Sequence, residues 1–215
     1  MSAAARKEKR KQENELMKQK QEKLRFANDN PDNLSDLQLF KKFNKNGIEG
    51  TLNYYPQCPP EFKDWVFDLT KRNMQKMYEE TWGWNDSKKK HELYEDKAHF
   101  LILTRDEDNK PIGFVHIRFE FESNSLREFI FEFQVEPEFH RKGVGRFLMQ
   151  AAEMIALKRG MEMIMLTVFK MNEPAQAFYR SMRYIPHANS PSVARPDYPD
   201  KFDYDILYKS LVPKK

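Results

Sequence analysis

One cysteine, Cys58, stands in 215 residues, which excludes an internal disulfide and a cysteine-rich zinc site and fits a reducing compartment. The five histidines, His91, His99, His116, His140 and His187, form no i, i+4 pair and no HExxH arrangement, so no metal is expected. No apolar run approaches the ~20 residues that span a bilayer, and the N-terminus lacks the apolar core of a signal peptide. A location in cytoplasm or nucleus, away from membranes, is the expectation. Charge of one sign is also scarce. The 37 Lys+Arg residues face 33 Asp+Glu, and much of the net +4 sits at the start of the chain, so direct nucleic-acid binding is not expected. Neither GxxxxGK[ST] nor GxGxxG occurs, which removes two common phosphate-binding motifs.

At 40% hydrophobic and 13% aromatic residues, the chain has material for one sizeable core with extensions. Residues 1–25 are almost all charged or amide and read as a basic arm, helical or disordered. Its RKEKRK block fits a nuclear-localisation signal, a contact to an acidic surface, or a simply solvated charge run. Residues 26–59 are turn-rich and read as a linker or extension packing on a domain over 60–211. Within that domain, apolar residues at helical spacing from Phe62 to Tyr78 predict an amphipathic helix started by Pro59 and Pro60. Three β-rich runs at 98–106, 112–122 and 129–136, separated by short polar turns, predict an antiparallel meander. A helix over 144–158, a strand over 161–170, a helix from Glu173 and a last strand over 201–211 complete the order. The fold class is mixed α/β, with a mostly antiparallel central sheet flanked by helices.

The stretch HRKGVG, His140 to Gly145, joins a strand to a helix. Unpaired N–H groups at a helix start bind anions, and glycines let a phosphate approach them. Arg141, Lys142 and Arg146 add positive charge. Spacing alone reaches pyrophosphate binding and no further.

HRKGVG after a strand ending in Val-x-Pro resembles the acetyl-coenzyme A signature of the GCN5-related N-acetyltransferases (GNAT), [RQ]xxGx[GA], with His140 where Arg or Gln is usual. TVFKMNEPAQAFYRSMRYI resembles that family's following segment. The resemblance implies acetyl-coenzyme A in a cleft between splayed central strands, with no metal. It places the cofactor on Phe133, Gln134, Val135, Arg141, Lys142, Gly143, Val144, Gly145, Arg146 and Asn172. A narrower resemblance over about 60–208, carried by DWVFDLTKRNMQKMYEETWGW, FEFQVEPEFHRKGVGRFL and MLTVFKMN, is to the N-terminal acetyltransferase D (NatD) family. That family acetylates the α-amine of histone 4 and histone 2A at Ser-Gly-Arg-Gly, and no obligate auxiliary subunit is expected.

An α-amine of pKa about 7.7–8.0 asks less of a base than lysine near 10.4, so one carboxylate acting through water suffices. Strict alternation in FIFEFQVE sets Phe129, Phe131, Phe133 and Val135 on one face and Ile130, Glu132 and Gln134 on the other. Partial burial among aromatics would raise the Glu132 pKa. The resemblance makes Glu132 the base and Tyr179 the acid for the leaving thiolate. It also implies peptide contacts from Tyr78, Trp82, Glu120, Glu122, Phe131, Thr167, Asn189 and Tyr204. Glu120 and Glu122 share a strand face, as a carboxylate pair for the substrate's Arg would. Phe129 and Phe131 depart from that family, whose members tend to carry tyrosines there. Two other readings fit the same residues: an acetyltransferase for lysine side chains or small amines, and a weakly catalytic coenzyme-binding module tethered to chromatin.

Overall fold

A computed structural model describes residues 2–198 and 201–212; Met1 of the arm and residues 199–200 of the domain lie outside the described residues. The arm is helical: α1 spans Ala3–Asp29, and the Ser2 side chain accepts the Ala5 N–H at 3.2 Å as its cap. Its N-terminal turns are solvated. The C-terminal turns pack, with Ala27 fully buried and Lys20 paired to Glu162 at 2.6 Å.

The turn-rich segment after α1 holds a hairpin, β1 (Lys42–Lys45) and β2 (Ile48–Tyr55). Its turn residues Asn46 (φ 53°) and Gly47 (φ 72°) are both left-handed, as a two-residue hairpin whose twist matches its strands requires. Strand β2 pairs antiparallel with β3 (His99–Arg105), so this segment is part of the main sheet. Between them lie α2 (Pro60–Glu79) and a helix absent from the sequence reading, α3 (Asp86–Leu93), capped by the Asn85 side chain on the Lys88 N–H. The meander continues through β4 (Pro111–Glu122) and β5 (Ser125–Val135). Next come α4 (Val144–Lys158), β6 (Met163–Phe169), α5 (Glu173–Ser181), β7 (Ile185–Pro186), α6 (Pro191–Ala194) and β8 (Tyr204–Ser210). Among the described residues the sheet has eight strands in the order β1-β2-β3-β4-β5-β6-β8-β7.

Both faces of the sheet are covered. Leu101, Val115, Ile117 and Ile130 pack with Leu148, Ala152 and Ile155 of α4 on one side. Phe100, Ile102 and Phe114 pack with Val66, Phe67 and Leu69 of α2 on the other. Two features of β5 place the site. First, β5 pairs parallel to β6 only from Arg127 opposite Met163 to Ile130 opposite Leu166, after which the strands separate. Second, His116 faces Glu132 while Ile117 faces Ile130, which leaves Phe131 as a bulged extra residue. This bulge breaks the alternation expected of FIFEFQVE. Ile130 and Phe133 both turn toward the α4 side, whereas Phe131 and Glu132 lie toward α2 and α3.

Because β2 is a core strand, Leu52→Ala, at a position 1% exposed, is expected to lower stability by about 2–5 kcal/mol in urea unfolding. Leu16→Ala on the solvated part of α1 should stay within about 0.5 kcal/mol of wild type.

Candidate active site

Helix α4 begins at Val144 because Gly143, with φ 95°, ends the preceding turn in a conformation that side chains disfavour. The first N–H to find an acceptor at this end is that of Phe147, on the Gly143 carbonyl at 3.1 Å. The N–H groups of Val144, Gly145 and Arg146 lie ahead of it, beyond reach of an intrahelical partner, at the positive end of the helix dipole. Gly145 is needed for a different reason: a Cβ there would come within 3.2 Å of the Phe133 ring. This bare backbone, flanked by exposed Arg141 and Lys142, fits a pyrophosphate.

His140 ties the turn to the strand end, its Nε2 lying 3.0 Å from the Val135 carbonyl, which also accepts Asn73 Nδ2 at 3.3 Å. From the β1–β2 turn, Asn46 donates to the Lys142 carbonyl at 2.9 Å, so the extension braces the same loop. Arg146 turns to Ser181 on α5 at 3.2 Å. Asn172 is committed locally: it caps α5 by accepting the Ala175 N–H at 3.2 Å. Tyr179 is buried in the cleft, 6.5 Å from the Phe133 ring, and burial, with the Glu132 charge behind it, holds its hydroxyl above the usual tyrosine range.

Glu132 sits where the strands part and is 6% exposed. Oε1 accepts Lys89 Nζ at 3.0 Å and Oε2 accepts Gln134 Nε2 at 3.1 Å. Burial raises its pKa, while Lys89 and Gln134 pull it back. Gln134 is held in turn by Asn73 of α2 at 3.0 Å. Lys89 was missed by sequence reasoning. It is the middle lysine of KKK in a strongly polar helix, yet it is 4% exposed, one turn from buried Leu93. The only signal available was that i, i+4 relation. Lys89 also donates to the Tyr78 hydroxyl at 2.8 Å and to Glu92 at 3.2 Å. Burial works against its charge, but Glu132, Tyr78 and Glu92 outweigh burial and hold it cationic. A second buried carboxylate on β5 contrasts with this: Glu128 has no hydrogen-bond partner among the described residues, and burial with Glu153 nearby raises its pKa well above the usual range.

Over Glu132 stands an aromatic wall. Trp82 packs against Tyr78 at 5.9 Å, Phe169 at 4.7 Å and Tyr204 at 5.3 Å, and it is half exposed. Burial pushes the Tyr78 hydroxyl up to about 12. Thr167 is exposed on β6, one pleat before Phe169. Phe131 carries the Arg118 guanidinium 3.8 Å above its ring and stacks on His116 at 5.3 Å. Glu120 and Glu122 are not free: Arg127 binds Glu120 at 2.7 Å and also pairs with Glu122. Asn189 lies in the exposed segment before α6, its N–H on His187 Nδ1 at 3.1 Å. Cys58 is buried in the core on the α2 side of the sheet, and burial pushes its thiol up to about 12, which makes it a poor nucleophile. Among the described residues no cluster of three His, Cys, Asp or Glu side chains is placed to hold a metal.

This fold recurs in solved structures. Ard1 from Thermoplasma volcanium is 20% identical, with a TM-score of 0.55 over 76% of this chain and 99% of that one. The ribosomal-protein-S18-alanine N-acetyltransferase from Escherichia coli is 16% identical, with a TM-score of 0.55 over 77% and 96%. Arabidopsis thaliana Naa50, in complex with the bisubstrate analogue CoA-Ac-MVNAL, is 17% identical, with a TM-score of 0.53 over 75% and 98%. The acetyltransferase (GNAT) family pattern matches residues 64–184, which span β3 to β6, the glycine turn and α5. The chain belongs to the GNAT acetyltransferase family.

Proposed function

We propose that this acetyltransferase acts on the α-amine of the Ser-Gly-Arg-Gly start of histone 4 and histone 2A. The observation that carries the reading is Glu132: a carboxylate buried where β5 leaves β6, on the aromatic-wall face of the strand whose next residue, Phe133, meets the glycine turn. Acetyl-coenzyme A, when bound, supplies an acetyl group already activated as a thioester. The N–H groups of Val144, Gly145 and Arg146 would hold its pyrophosphate, and the freed edge of Phe133, Gln134 and Val135 would receive its pantetheine arm. Glu132 takes, through water, the proton that the amine nitrogen sheds as it bonds to the acetyl carbon, and Tyr179 stands on the cleft side to protonate the departing thiolate.

Tyr78, Trp82, Phe169 and Tyr204, packed ring on ring, would form the wall against which a small first residue lies. Recognition of a cationic peptide despite the chain's net positive charge would fall to local carboxylates, Glu120 and Glu122 first among them. A substrate guanidinium would share Glu120 and Glu122 with Arg127 and would not find them vacant. The reading implies an enzyme of cytoplasm and nucleus working without an obligate auxiliary subunit. Arabidopsis Naa50, bound to a coenzyme–peptide conjugate, lends it support as a protein of the same fold.

Acetyl transfer to a Ser-Gly-Arg-Gly-Lys peptide tests it. Transfer is expected to the free N-terminus alone and to weaken when Arg is replaced by Ala; transfer to a peptide with a blocked α-amine would make the protein a lysine acetyltransferase. Glu132→Gln should lower kcat by about 10²–10⁴-fold while leaving coenzyme binding intact. In calorimetry, Gly145→Val should weaken coenzyme binding at least about tenfold, because its side chain collides with Phe133 and covers the amides.

A further inference from the structure

We propose that Lys89 is a positioning residue that balances the charge of Glu132, so that the acceptor enters only as a neutral amine; this rests on the N-terminal acetyltransferase reading above. A carboxylate waiting alone in a buried site is a poor base for an amine, because it attracts the ammonium form and holds it protonated as an ion pair. In this site that place is taken. Lys89 Nζ lies 3.0 Å from Glu132 Oε1, and its other donors are spent on the Tyr78 hydroxyl and Glu92. Glu92, the other carboxylate on Lys89, is a third exposed and screened by solvent, so within the buried site an incoming ammonium would be a second cation on Glu132.

The surroundings leave little else to balance that charge. Glu132 is faced by Tyr78 from α2, Lys89 and Glu92 from α3, His116 and Arg118 from β4, and Tyr179 from α5. Arg118 is engaged by Glu95 at 2.5 Å and by the Glu92 carbonyl at 2.8 Å. His116, stacked between Phe100 and Phe131, is held neutral by burial and by Arg118. Lys89 is therefore the counter-ion. Replacing buried ion pairs with apolar side chains is often neutral or stabilising, so stability alone gives little reason for a 4%-exposed lysine.

The consequence is selection by basicity. At pH 7.4 an α-amine of pKa about 7.8 is roughly a quarter neutral, while a lysine near 10.4 is about 0.1% neutral. A site closed to ammonium thus favours the N-terminus by roughly two to three hundredfold before any side-chain contact.

The test is the pH dependence of KM and kcat, measured separately with the full-length protein, acetyl-coenzyme A and the Ser-Gly-Arg-Gly-Lys peptide. In wild type, KM is expected to rise about tenfold per pH unit below the amine pKa while kcat stays level, because only neutral peptide binds. In Lys89→Met and Lys89→Gln, protonated peptide binds unproductively, so the fall with pH moves out of KM and into kcat. Lys89→Arg should keep the wild-type pattern. If both neutral variants lose the same fraction of kcat at every pH while KM still rises, Lys89 is structural only and the proposal fails. A wild-type kcat that falls with pH over a flat KM overturns it without any variant. Absence of transfer from wild type to the free α-amine at every pH is a different result, which removes the N-terminal reading itself.

Discussion

Strand β5 holds β6 by parallel hydrogen bonds only from Arg127 to Ile130, and the bulge at Phe131 then turns Glu132 and Phe133 to opposite faces. On one side Phe133 meets Gly145, Phe178 and Tyr179, which shapes the cleft beside the glycine turn. On the other, Glu132 meets Lys89 and lies beneath the aromatic wall. Without the bulge the strand's period of two would carry both residues to the faces set by Ile130, and the carboxylate would point into the α4 core. The remaining contacts maintain this geometry: Trp65 and Arg72 of α2 bind Glu136 just past the strand end, and Asn73 holds Gln134.

The extension ahead of the family's matched segment contributes to the same end. Phe43 packs 5.2 Å from Phe147 in the first turn of α4, and Asn46 reaches the Lys142 carbonyl. An anion loop on bare backbone binds only as well as that backbone is held, so the hairpin serves as a brace for the amides that carry the phosphate. The glycine turn and the β1–β2 turn are thus two parts of one support.

The glycine turn and the helix over 144–158 were legible because their chemistry is local: a left-handed glycine and a start for anions are written in adjacent residues. The meander was legible from its turn spacing. The aromatic wall followed only from resemblance, since a Trp in TWGW taken alone reads more often as core. The bulge and Lys89 were out of reach for a shared reason. Each depends on what lies across a gap in sequence: the register of β5 on β4, and a carboxylate forty-three positions downstream of a lysine in a helix that looks solvent-facing throughout. The pairing of Arg127 with Glu120 and Glu122 was hidden in the same way, by cross-strand register.

The central claim is that an N-terminal α-amine reaches the thioester over Glu132. Binding of two conjugates tests it most directly, one joining coenzyme A through an acetyl bridge to the α-nitrogen of Ser-Gly-Arg-Gly, the other joining it to a lysine side chain of an α-blocked peptide. The α-linked conjugate is predicted to bind at least about a hundredfold tighter, a difference that conjugates spanning both halves of a preorganised site can show. Equal affinities, or tighter binding of the lysine-linked conjugate, would contradict the account.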